Sequence, residues 1–165
     1  MAVNSKKVKG RRDLTFRSLD EVVSDAEQLV ADGTTITIGN WPLENLLTHL
    51  TMTVNNSIDG FPVTAPWIVR LFGPLIKKSV LKAPKMNPGI RLPKSAEPIV
   101  FPDAISVRDA CEGLRRAVAR VRTERMEADH PAFGPMTHDE WLAVHLKHSE
   151  LHLSYAIPGK AGVRV

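Results

Sequence analysis

The chain is poor in the features that would give its role away quickly. A single cysteine, Cys111, among 165 residues excludes an internal disulfide framework and any cysteine-built zinc module. No apolar run approaches the ~20 residues that a bilayer-spanning helix needs. The basic start, Met1 to Arg12, is not followed by the apolar core of a signal peptide, so a cytoplasmic, reducing location is expected. There is no internal repeat, no low-complexity block and no glycine-rich phosphate loop. No protein nucleophile stands beside an obvious base. Cys111 itself lies on an apolar stripe and reads as a small core residue.

Acidic residues are missing from two stretches, and this decides how the net charge of +4 is understood. Residues 1–12 carry Lys6, Lys7, Lys9, Arg11 and Arg12 with no acid. From Gly60 to Ala96 there are seven cations, among them Arg70, Lys77, Lys78 and Lys82, again with no acid. The remainder therefore has a net charge of −8. The protein is an acidic body with two basic segments, so its pI of 9.4 is no argument for a polyanion partner. With no helix-turn-helix spacing or other docking motif, nucleic-acid binding is not expected. Residues 1–12 read as a solvated, disordered tail, residues 13–156 as the folded domain and residues 157–165 as a C-terminal tail.

What is present is helical periodicity. Ser18 and Glu21 form a capping box ahead of a helix from about Leu19 to Ala31, stopped by Gly33. Trp41-Pro42 opens a second, to about Ser57, with a Leu43, Leu46, Leu47, Leu50, Val54 stripe. Ser106 caps a third, to about Glu127. Thr137 and Glu140 begin a fourth, to about Tyr155. Thr34 to Ile38 alternates like a strand but has no evident partner, so it reads as a connector. The expectation is an all-α four-helix bundle. Some 45 residues separate the second and third helices, with eight prolines from Pro62 to Pro102. A basic helical candidate spans Pro66 to Leu81 within this insertion. It reads as an excursion across one end of the bundle, and the membrane-surface alternative is weakened by Pro74.

The fourth helix carries the chemistry. Its series at three- and four-residue spacing is His138, Trp141, His145, His148, His152 and Tyr155. An inward bundle seam should be aliphatic, and imidazoles there need a hydrogen bond or a ligand. His148 and His152, at i and i+4, can aim at one ion from adjacent turns. His-Ser-Glu-Leu-His is not the zincin motif, so Glu150 does not inherit a general-base role and reads as a solvated acid. His49 sits at the edge of the second helix's stripe, where it is equally a reaching ligand or a boundary histidine half in solvent.

His49 in Thr-His-Leu, together with His148-Ser-Glu-Leu-His152, resembles the DinB/YfiT-like superfamily of metal-binding helical bundles. The closer likeness is to an uncharacterised bacterial branch. Its pieces are Gly39-Asn40-Trp41, the turn from Ser57 to Pro62, His130-Pro131-Ala132-Phe133-Gly134, Glu140-Trp141 and the Lys147-to-Leu153 histidine pair. The resemblance implies a divalent metal, zinc or nickel, held by His49, His148 and His152, and a homodimer. His145, one turn before His148, is assigned to support of the ligands or to proton transfer. His130 lies at the site's mouth or holds the turn's conformation, and His138 faces solvent. Three neutral imidazoles leave an open coordination position, as in catalytic rather than structural zinc sites. Such a position can activate water or hold a thiolate. The implied activity is metal-dependent transfer with a low-molecular-weight thiol cosubstrate, or hydrolysis, on a small-molecule substrate. In that scheme His145 or Glu150 assists proton transfer, and the basic segment attracts an anionic cosubstrate. The alternative is a non-catalytic, stress-associated binding protein that keeps the metal pocket.

Overall fold

The computed structural model describes residues 3–88 and 105–159. Arg91, Lys94 and the last three prolines of the insertion lie outside the described residues, as do residues 160–165. Among the described residues six helices dominate: α1 (Leu19–Asp32), α2 (Leu43–Asp59), α3 (Trp67–Leu71), α4 (Gly73–Lys82), α5 (Val107–Arg120) and α6 (His138–Leu153). Their ends follow local chemistry. The Ser18 hydroxyl accepts the Glu21 amide hydrogen and Gly33 closes α1 at φ 65°. At α6 both halves of the Thr137–Glu140 capping box form.

Leucines of α1 and α2, Leu114 and Val118 of α5, and Leu153 of α6 share one core. Complete burial of each leucine stabilises the fold by about 1.5–3 kcal/mol. A second cluster joins Met126, Met136, Trp141 and Val144 to Ile58, Phe61, Val80 and Leu81. It seats the inner side of α4 on the start of α6.

Several expectations need correction. Ile36–Thr37 (β1) is paired after all, antiparallel to Ala156–Ile157 (β2), with Ile36 opposite Ile157. The partner is the chain just beyond α6, about 120 residues away in sequence. The same pairing means that residue 157 already belongs to the folded body. The third helix ends at Arg120, not Glu127. Successive i+3 bonds tighten the turn over Val121 to Thr123, and the chain then dives to bury Met126 completely. The single helix expected over Pro66–Leu81 is two, broken at Phe72. Gly73 lies so close to the Ala132 carbonyl that a Cβ there would sit 2.2 Å from its oxygen.

Residues 3–12, expected as a solvated tail, are tied to the body. Asn40 uses both ends of its amide on the Val3 backbone, at 2.6 and 2.8 Å. Arg12 grips Asp25 through two 2.7 Å bonds and also donates to the Leu153 carbonyl. Of the cations expected to be free in water, Arg12 is instead a partner for the acidic body and for a carbonyl at the end of α6, and Arg11 donates to Ser154 Oγ at 2.9 Å, while Lys6, Lys7 and Lys9 are exposed.

Candidate metal centre

Helix α6 places His148 and His152 one turn apart, and α2 lies alongside with His49. Three Nε2 atoms converge. His148 Nε2 is 3.2 Å from His49 Nε2 and 3.0 Å from His152 Nε2. One ligand atom from each ring can be chosen so that all three fall within 4.8 Å of one another. His49 is buried, and His148 and His152 are half-buried.

The donor set fits a metal. As a hydrogen-bonded group it is poorly satisfied, because His148 Nε2 must serve two neighbours with one proton or one lone pair. A cation between the rings would use all three lone pairs. Metal–nitrogen bonds of 2.0–2.1 Å in tetrahedral geometry require ligand separations of about 3.3 Å. The two close separations lie near that value. Burial also keeps the rings neutral and thus ready to ligate. It pulls His49 down to about 3 and His148 to about 4. His152 falls well below its ordinary value, first through burial, with the His148, His49 and Arg11 charges adding to it.

Trp41 completes the wall. Its indole stacks on His152 at 5.4 Å between ring centroids and meets His49 edge-on at 5.2 Å. In the sequence Trp41 stands at the opening of the second helix and within Gly39-Asn40-Trp41, and neither place by itself marks it as a wall of the histidine group. Its signal was position: a large aromatic just before a helix folds back over the first turns, and His49 lies two turns in.

The other histidines have different employment. His145 is 2% exposed and its Nε2 lies 3.0 Å from Ser57 Oγ. Ser57 donates its own proton to the Val54 carbonyl at 2.6 Å, so His145 Nε2 carries hydrogen and donates to Ser57. The ring also stacks on Trp141, at 5.2 Å. His145 thereby locks α6 to α2 below the cluster. His130 Nδ1 accepts the amide hydrogens of Ala132 and Phe133, which places its proton on Nε2 and fixes the turn closed by Gly134. Burial lowers its pKa to about 4. His138, expected to face solvent, accepts the Met126 amide hydrogen at 3.1 Å and is half-buried.

Glu150 was expected to be solvated and is buried instead. Its Oε1 accepts the Phe16 amide hydrogen at 2.9 Å, because residues leading into α1 cross that face of α6. Cys111 is buried in the main core, where burial raises its thiol pKa.

Fold and site together define a predominantly helical protein with a three-histidine group able to hold a metal ion. More particularly, the chain belongs to the family described as "Protein of unknown function (DUF1569)", whose model matches residues 8–158. No curated protein and no solved structure matches the chain.

Proposed function

We propose that this protein is a mononuclear metalloprotein in which His49, His148 and His152 hold a divalent ion, zinc or nickel, for a metal-dependent reaction on a small molecule. The observation carrying this reading is the convergence of three Nε2 atoms from two helices, two of the separations being 3.2 and 3.0 Å. The DinB/YfiT-like resemblance supports it, with α1, α2, α5 and α6 as the bundle and α3–α4 as its insertion. When bound, an ion with three neutral imidazole ligands supplies Lewis acidity at its remaining positions. Thiol S-transfer and hydrolysis are the reaction classes that suit such a centre.

The protein's own residues do the positioning. His49 crosses from α2 so that both helices fix the ion. Trp41 shields the His49 and His152 rings from water on one side. His145 and Ser57 hold the two helices in register. With its Nε2 hydrogen directed at Ser57, His145 acts in this scheme as a positioning residue rather than as a proton carrier. The burial of His49 and the Trp41 cover equally favour the second reading, a non-catalytic protein that sequesters an ion.

Metal content after dialysis tests the centre, with cobalt absorption reporting the ligand field. Wild type should retain about one ion per chain and the His148→Ala, His152→Ala double variant none. Unchanged metal content in that variant would sink the assignment. Thiol-transfer and hydrolysis assays with and without chelator then divide the two readings, because only an enzyme loses turnover with its metal.

A further inference from the structure

We propose that α3 and α4 form a docking face for an anionic lipid surface, independent of the metal centre. Trp67, Leu71 and Leu75 are 72%, 65% and 69% exposed, and Ile68 and Phe72 are each 53% exposed. Isolated exposed hydrophobes are ordinary, but five large ones along one short segment are not. Ile68 and Leu71 on α3 and Phe72 at the break are followed on α4 by Leu75, Lys78 and Lys82 at helical spacing, all of them exposed. The outward stripe therefore passes from apolar to cationic, as in helices lying at a lipid headgroup boundary.

The inner side of the segment is already committed. Val80 and Leu81 join the second apolar cluster, and Lys147 Nζ donates to their carbonyls at 3.2 and 2.7 Å. Lys77 is paired with Glu140 at 2.7 Å and bonds the Pro135 carbonyl. With Gly73 against Ala132, these contacts hold the apolar stripe outward on a fixed mount.

Charge selects the occupant. No acid occurs between Gly60 and Ala96. Among the described residues, the acids that pair with the segment are Glu140, with Lys77, and Asp13, with Lys85. Among the described residues, Arg70, Lys78 and Lys82 have no acidic partner and present a positive field beside the apolar side chains. A two-fold contact with a second copy would set these cations against their own images. Anionic headgroups would neutralise them while acyl chains accept the rings and leucines. No described helix is long and apolar enough to cross a membrane, so the association is peripheral.

Sedimentation with vesicles tests this on the whole chain. Phosphatidylcholine vesicles are compared with equimolar phosphatidylcholine and phosphatidylglycerol, at low and high salt. The chain should bind the mixed vesicles, with blue-shifted tryptophan emission, and release with salt. Lys78→Glu with Lys82→Glu should weaken binding roughly tenfold or more. A Trp67→Ser, Leu71→Ser, Phe72→Ser variant should lose it while keeping the wild-type circular dichroism and metal content. No binding at low salt, or equal binding to both vesicle types, would overturn the proposal. So would wild-type binding by the triple variant. A wild-type dimer that this variant converts to monomer, without vesicle binding, would assign the face to a second copy instead.

Discussion

The cluster between α2 and α6 and the outer side of α3–α4 break the same rule in opposite directions. In the first, imidazoles occupy an interior seam where aliphatic side chains are ordinary; in the second, leucines and rings face water. The interior violation is answered within the molecule at His145 by Ser57 and at His138 by a backbone amide, and at the three converging nitrogens it would be answered by the proposed ion. Among the described residues the exterior one has no such answer along its outward stripe, because the segment's contacts with the body are on its other side. A polar group inside must find its partner before the chain is stable, whereas an apolar group outside can wait for one.

Acid should break the interior region first and most severely. Burial holds His49 and His145 at about 3 and His130 and His148 at about 4, against 6.5 in the unfolded chain. These depressed values mean that, below pH 6.5, the unfolded chain takes up protons that the folded protein refuses. Stability is therefore full above 6.5, falls as the pH drops and stops falling only near 3–4. Each buried imidazole contributes a slope of about 1.4 kcal/mol per pH unit. Domains of this size have about 5–15 kcal/mol in total, so several such groups acting together should unfold the metal-free protein about one to two units below 6.5. Circular dichroism during acid titration in chelator measures this. Repeating the titration with zinc at ~1,000 times its dissociation constant should restore about 4 kcal/mol near neutral pH. A flat acid titration would mean that the histidines are solvated in the folded state.

Much of the interior region was legible in the sequence, and the reasons are physical. An i, i+4 histidine pair on a capped helix fixes which residues share a face, whatever the tertiary structure does. His49 was readable as an edge residue, but that it reaches His148 depends on how α2 lies against α6. The partners of His145 and His130 were not legible, since a serine hydroxyl and two backbone amides leave no distinctive spacing. Glu150 was misread because the segment that covers it comes from the other end of the chain. The β1–β2 pair was hidden for the same reason. At the N-terminus, charge counting gave a tail because it sees Arg11 and Arg12 but not Asp25, Ser154 and the end of α6.

Gly73 offers a sharper test of how firmly the outer segment is mounted. Gly73→Ala would place a Cβ 2.2 Å from the Ala132 carbonyl oxygen, a backbone atom that cannot swing aside. Overpacking of this kind costs about 1–3 kcal/mol. Urea denaturation should show a loss of that size, and limited proteolysis should become faster within α3–α4. Metal content should stay at the wild-type level, because none of the three ligand residues lies on the segments that Gly73 joins. Loss of metal together with loosening of α4 would show that the two regions are one cooperative unit.

The smallest expected effect discriminates most finely between inside and outside, because the molecule carries a tryptophan in each setting. Trp141 is 1% exposed, stacks on Phe61 and His145, and donates from Nε1 to the Ala128 carbonyl at 3.0 Å. Its replacement by serine removes a large buried ring and leaves a cavity, which should cost about 3–5 kcal/mol. Trp67 is 72% exposed on α3, and the same replacement should change stability by no more than about 0.5 kcal/mol. Parallel urea denaturations of Trp67→Ser and Trp141→Ser measure the difference. A loss of ~2 kcal/mol or more at Trp67 would mean that the chain itself covers this ring in solution. The exposed stripe would then be part of the core, and the contrast between the two regions would fail.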